Sequence, residues 1–256
     1  MDALQLDQLL AGAAFTGARV SGLMAFCPFL GSDAVPIPVK AALTLLLTIL
    51  VNPLHAYSGI VLGSWQWAGG VAGELVIGLL MGLVANFFFE AALIAGQILG
   101  VQIGYSLATV FDPQTTADTP VLSEFHRLAA VLIFLQLDVH HWLLRALVRS
   151  FAYLPPGRAT VTLAVAGGLA QAAGGIFLAG VQIAAPSLVA TLVVDMALGF
   201  LGKASPQLPV LFIGLAVKNL VGLAVLIAAM AYWPRVFSQQ FAVCIRTGEH
   251  LLHLAR

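Results

Sequence analysis

Charge is scarce in this sequence. Eleven basic and eleven acidic side chains make up only 9% of its 256 residues, whereas a soluble domain carries about 25%. So few charges cannot cover a soluble domain of 26.8 kDa. With 61% hydrophobic residues and a mean hydropathy of +1.01, the chain belongs in a membrane or inside an apolar assembly. Its net charge of zero argues against nucleic acid, which demands a basic face. Cysteine is nearly absent. Cys27 and Cys244 stand far apart in apolar surroundings, so neither a disulfide framework nor a zinc-ligand spacing is present.

Catalytic motifs are missing as well. The chain has no H-E-x-x-H, no G-x-S-x-G and no glycine-rich phosphate loop. A membrane protease is disfavoured, and any energy from ATP has to come from a partner. No enzymatic activity, cofactor or metal is expected. No polar linker divides the chain, so residues 1–256 read as one membrane-embedded domain with an amphipathic tail over 235–256. The opening Met1-Asp2-Ala3-Leu4-Gln5-Leu6-Asp7 is acidic, where a cleavable signal starts basic. Insertion through internal segments is the expectation.

Long apolar runs are what the sequence does have. Residues 41–73, 91–111, 159–194 and 219–234 carry no charge, and about 20 apolar residues suffice to cross a hydrocarbon core of roughly 30 Å. The run 159–194 would be about 54 Å long as one straight helix. Pro186 and the pairs Gly167-Gly168 and Gly174-Gly175 offer places to kink or reverse it. The spacing predicts an all-α fold with helices over 5–27, 38–63, 71–110, 122–152, 160–202 and 208–233, several of them bent or folded as hairpins, and an amphipathic tail from 235. Prolines mark the joints: Pro28, Pro36 and Pro38, Pro113 and Pro120, Pro155-Pro156-Gly157, Pro206 and Pro209, and Pro234. Arg235, Arg246 and Arg256 would place the tail in the cytoplasm by the positive-inside rule.

Four constellations could carry function. Gly96-x-x-x-Gly100-x-x-x-Gly104, with Gly78-x-x-x-Gly82 upstream, puts glycine on one helix face, where another backbone can approach closely. The neighbour is a helix of the same chain or another subunit, with Gln97 and Gln102 placed to hydrogen-bond across the seam. Six charges, Arg19, Lys40, Glu74, Glu90, Asp195 and Lys218, interrupt or edge the apolar stretches. Intramembrane charge is costly, so these are read as buried and paired, for example Glu74 or Glu90 with Arg19 or Lys218. Asp195, nine residues after Pro186, is the modest candidate for a transporter's midplane carboxylate. Asp138-x-His140-His141 resembles a metal cluster, but an interfacial helix face explains it better. The polar segment from Tyr105 through Phe111-Asp112-Pro113-Gln114 to Pro120 either lines or closes an aqueous path or is a solvated connector.

Taken together and in order, these residues resemble the family of R subunits of the flagellar type III export gate, which is related to the T subunit of virulence injectisomes. The likeness runs over nearly the whole chain. It is carried by Arg19, Val35-Pro36, Lys40, Gly73-Glu74-Leu75, Gly78, Gly82, Gly96, Gly100, Gly104, Phe111-Asp112-Pro113-Gln114, Pro120-Val121-Leu122, Ala185-Pro186, Asp195, Gly199, Pro206-Gln207, Gly214, Lys218 and Gly222. The chain departs from the family at Leu208-Pro209-Val210-Leu211 and at Ala216. The resemblance implies a non-enzymatic subunit that helps form and close a protein-conducting channel at the bacterial inner membrane, in the flagellar basal body. It also implies one copy assembled with P and Q subunits, contact with other membrane proteins of the export apparatus, passage of unfolded flagellar proteins, and a channel plug in the Tyr105–Pro120 loop. The competing expectation is a small-solute or ion transporter, which should show inverted repeats; no convincing self-similarity is present.

Overall fold

Proline and glycine set most of the helix boundaries. The computed structural model describes residues 3–28, 31, 35–52, 64–105, 121–157, 163–205, 207 and 209–254. Among these, the chain forms helices and no strand. Helix α1 (Ala3–Phe26) stops ahead of Pro28, where the proline ring disfavours helical backbone in the preceding residue. Helix α2 (Ile37–Val51) starts behind Pro36, with Pro38 in its first turn. There the missing N–H would have had no partner anyway. Helix α3 (Ser64–Ile103) runs for 40 residues and ends at Gly104, whose φ of 95° suits glycine alone.

The sequence predicts one helix over 122–152, and the structure breaks it. Helix α4 (Val121–Gln136) and helix α5 (Val139–Tyr153) are separated at Leu137-Asp138. Asp138 adopts φ 53°, a left-handed conformation that Asp tolerates better than most residues. The amide of His141 then donates to the Asp138 carbonyl at 3.0 Å, restarting the helix. Helix α6 (Leu163–Ala204) continues for 42 residues through both glycine pairs and Pro186, close to the expected 160–202, and of the kink or reversal those residues allow, no reversal occurs. Proline removes one backbone hydrogen bond, whereas a reversal in apolar surroundings would strand several. Helix α7 (Val210–Met230) starts behind Pro209. The strongly amphipathic helix α8 (Trp233–Leu254) carries Pro234 in its first turn.

Among the described residues, three segments are long and apolar enough to cross a membrane: Gln66–Ile103, Val165–Ala204 and Phe212–Met230. A fourth arises if the broken pair α4 and α5 counts as one span. Only 17% of the α7 window is buried within the chain, so most of that helix faces lipid or other proteins.

The chain divides into two units. Met1–Phe88, Asp138–Gly174 and Phe241–Arg256 form one; Phe89–Leu137 and Gly175–Gln240 form the other. The first has a core of Val20, Leu23, Ile77, Met81, Leu147 and Phe151, with Phe88 against Phe241 at 4.0 Å between ring centroids. In the second, buried Leu99 and Ile103 of α3, Phe134 of α4, Ile183 of α6, Leu226 of α7 and Phe237 of α8 supply apolar core. Phe89 and Phe134 meet edge to face at 5.5 Å.

Candidate functional site

In the first unit, glycine lets two helices meet backbone to backbone. A Cβ on Gly78 would lie 2.0 Å from the Arg19 carbonyl oxygen, and one on Gly22 would lie 2.3 Å from that of Leu75. One turn on, a Cβ on Gly82 would lie 2.6 Å from the Leu23 carbonyl oxygen. Helices α1 and α3 therefore cross at a seam with glycine on both sides. Gly78 and Gly82 were legible from their spacing, but Gly22 was missed, although Ala18-x-x-x-Gly22 carries the same small-residue signal.

This close crossing sets a charge pair. Arg19 and Glu74 are both fully buried. The Arg19 Nε donates to Glu74 Oε2 at 2.6 Å, Nη1 to Ser150 Oγ at 2.9 Å, and Nη2 to the Leu154 carbonyl at 3.0 Å. The guanidinium also stacks over Phe151, 4.0 Å from the ring centroid. Glu74 Oε1 accepts from the backbone N–H of Gly157 at 2.9 Å. The pair thus ties α1 and α3 to the end of α5 and to the Pro155-Pro156-Gly157 turn. Ser150, Phe151 and Leu154 were not singled out from sequence, and Gly157 only as part of a joint, because only the folded chain brings them to Arg19 and Glu74.

The second unit holds a different pairing. Lys218 Nζ lies 2.9 Å from Asp195 Oδ1, and Gln102 Nε2 donates to Asp195 Oδ2 at 3.0 Å. The cluster joins the end of α3 to α6 and α7. It is half-buried, with 40% of the Asp195 side chain accessible. Asp195 is therefore a paired carboxylate on an unbroken helix, unlike a transporter's midplane acid. Glycine again permits the approach, since a Cβ on Gly222 would lie 2.7 Å from Ile103 Cδ1. Gly96 faces α4, where its Cβ would lie 2.4 Å from Ser123 Cα. Gly100 is buried, and Gln97 is exposed.

The other two charges differ from these. Lys40 is half-buried and donates from Nζ to the Gly31 carbonyl at 3.0 Å. Glu90, expected to be buried, is exposed. Its helix turns Phe88, Phe89, Ala91 and Ala92 inward, which leaves position 90 on the outer face.

With this geometry in view, the chain can be compared with known proteins. The profile of bacterial export proteins, family 1, matches residues 10–243. The chain belongs to this export family. It is 32% identical to the flagellar biosynthetic protein FliR of Escherichia coli (strain K12) over 87% of each chain. Its identity to the protein of that name from Bacillus subtilis (strain 168) is 34% over 71% of each chain. With the one from Caulobacter vibrioides it is 26%, over 90% of this chain and 92% of the relative.

Tyr105 is exposed just past the end of α3. Phe111, Asp112, Pro113 and Gln114 lie outside the described residues. At the α4–α5 break, Asp138 Oδ1 lies 3.3 Å from His141 Nδ1 and 3.9 Å from His140 Nε2. Asp138 and His141 are exposed and His140 is partly so, as suits the polar start of an interfacial helix.

Both cysteines are free. Burial pushes the Cys27 thiol up to about 12 and Cys244 to about 11. The thiolate is the reactive form, so labelling of the full chain in mild detergent by a maleimide should stay slow at pH 7 and at pH 8. Unfolding in dodecyl sulfate should release two equivalents. Rapid labelling of Cys27 in the folded protein would contradict its burial.

Proposed function

We infer that this chain is a subunit of the flagellar type III protein export apparatus, a multi-pass protein of the bacterial inner membrane at the flagellar basal body. The family match across residues 10–243 carries that conclusion. The architecture supports it. Apolar side chains such as Phe200 of α6 and Phe212 and Leu220 of α7 are more than 70% exposed on the isolated chain. The fully buried Arg19–Glu74 ion pair satisfies charge within the first unit, so the outer faces are free to meet lipid and other proteins.

The finer reading is a hetero-oligomer in which one copy of this chain joins P and Q subunits around a path for unfolded flagellar proteins. The glycine positions 78, 82, 96, 100 and 104 and the charges at 19, 74, 195 and 218 hold this subunit's shape within that assembly. Co-expression with P and Q followed by affinity purification through this chain tests the assembly; a chain that purifies alone as a monodisperse protein, leaving P and Q behind, would refute it.

Within the same reading, the loop from Tyr105 to Pro120 closes the resting channel. Phe111 supplies a bulky apolar stopper, Asp112-Pro113 reverses the chain, and Gln114 with the following threonines tolerates water. Removing residues 108–116 should make membranes containing the co-expressed complex leaky to ions or small solutes. Unchanged conductance in a fully assembled complex would reduce the loop to a connector.

A further inference from the structure

Three ligand-bearing side chains converge where α5 begins, outside both charge clusters. Successive side chains on a helix point about 100° apart, which is why Asp138-x-His140-His141 reads from sequence as a polar face. Folding brings together what that spacing separates. The His140 and His141 rings approach to 4.2 Å between centroids, with their planes 38° apart. Each brings a ring nitrogen to the same carboxylate oxygen, Asp138 Oδ1. One ligand atom from each of the three residues falls within a group no more than 4.8 Å across.

The backbone at Asp138 explains the convergence. This residue holds the N-cap of α5, where an aspartate in extended backbone ordinarily accepts from amides of the first turn. Asp138 is instead left-handed, at φ 53° and ψ 28°, and its side chain makes no capping bond. The carboxylate is left to the two imidazoles. Bonds of about 2.0–2.2 Å at tetrahedral angles separate neighbouring ligand atoms of a metal ion by roughly 3.3–3.6 Å. Asp138 Oδ1 and His141 Nδ1 already stand 3.3 Å apart. His140 Nε2, at 3.9 Å from the same oxygen, needs only a small rotation of a partly exposed ring.

The donor set selects the ion. Two imidazoles and one carboxylate suit zinc and its transition-metal neighbours, whereas calcium and magnesium require mostly oxygen. An ion held by charge alone is also opposed here by the positive end of the α5 dipole. Exposed Arg145, one turn past His141, opposes it further. Coordination by ring nitrogen therefore has to supply the affinity.

We propose that Asp138, His140 and His141 bind a zinc-like divalent transition-metal ion, with water completing its coordination. Such an ion would tie the turn to the helix that follows, since one ligand precedes α5 and two lie in its first turn. The site does not depend on the export role proposed above.

The test uses the full chain in mild detergent, purified through a tag without histidine, stripped with a chelator and titrated with Zn²⁺ against a chromophoric indicator. One equivalent should bind per chain, and Mg²⁺ should not displace it. Co²⁺ should bind with visible d–d bands that Zn²⁺ abolishes. Loss of a ligand should cost at least as much as loss of a group supporting one, so His140→Ala and His141→Ala should each weaken binding about tenfold or more. Asp138→Asn, which keeps a residue tolerant of left-handed backbone, should weaken it too. All three side chains are at least partly exposed, so the variants should elute from size exclusion as the parent does; if Asp138→Asn does not, the histidine variants carry the test. Zinc bound equally well when His140→Ala and His141→Ala are combined would overturn the site. So would zinc lost only with His250→Ala and His253→Ala, or displaced by equimolar Mg²⁺, and so would a parent chain that binds no zinc.

Discussion

Glu74→Leu should cost the fold about 3–5 kcal/mol, because it leaves the Arg19 guanidinium buried without its counter-charge. The lost contacts are specific. Glu74 supplies Oε2 to Arg19 and Oε1 to the Gly157 amide, so one substitution strands a cation and a backbone donor together. The full chain in mild detergent should unfold at a lower denaturant concentration, and its yield with partner subunits should fall. Arg19→Met combined with Glu74→Leu should be less damaging than Glu74→Leu alone, since removing both charges removes the desolvation penalty as well. A Glu74→Leu variant as stable as the parent would mean that Arg19 reaches water or another acceptor.

Gly78→Val should be comparably severe. Even the first carbon of a side chain would lie 2.0 Å from the Arg19 carbonyl oxygen, and that oxygen is backbone, with no rotamer into which to retreat. Overpacking a core costs typically about 1–3 kcal/mol where side chains can yield. Here α1 and α3 must separate, which also stretches the Arg19–Glu74 bond, so the loss should reach or exceed the top of that range. Gly69→Ala is the matched control on the same helix. Nothing lies within 4 Å of its added Cβ, and replacing a mid-helix glycine by alanine stabilises by about 1 kcal/mol. Denaturant midpoints of the two variants should move in opposite directions. If Gly78→Val matches the parent in midpoint and in motility, the seam does not hold α1 to α3.

The two variants separate the causes of one contact. Glycine at 22 and 78 sets the distance between helices, and the charges at 19 and 74 then meet at 2.6 Å. A longer seam with the same charges would leave a gap for water, and the pair would lose most of its strength in the higher dielectric.

Composition and periodicity by themselves determined the helical class, the membrane setting and most of the helix ends. Apolar runs this long have no other solution in lipid, and proline and glycine act on their immediate neighbours. The family was also legible, because ordered glycines, prolines and charges at set spacings are properties of the chain. Partners across space were not. Arg19 could pair with either glutamate on the sequence alone, and tertiary packing chose Glu74, turned Glu90 outward and gave Lys218 to Asp195. The break at Leu137-Asp138 carried no proline or glycine, and at Pro186 the local signal allowed a kink or a reversal where α6 runs on. In both cases the balance of backbone hydrogen bonds across the folded chain outweighed the preference of a single residue, and that balance exists only once the helices have packed.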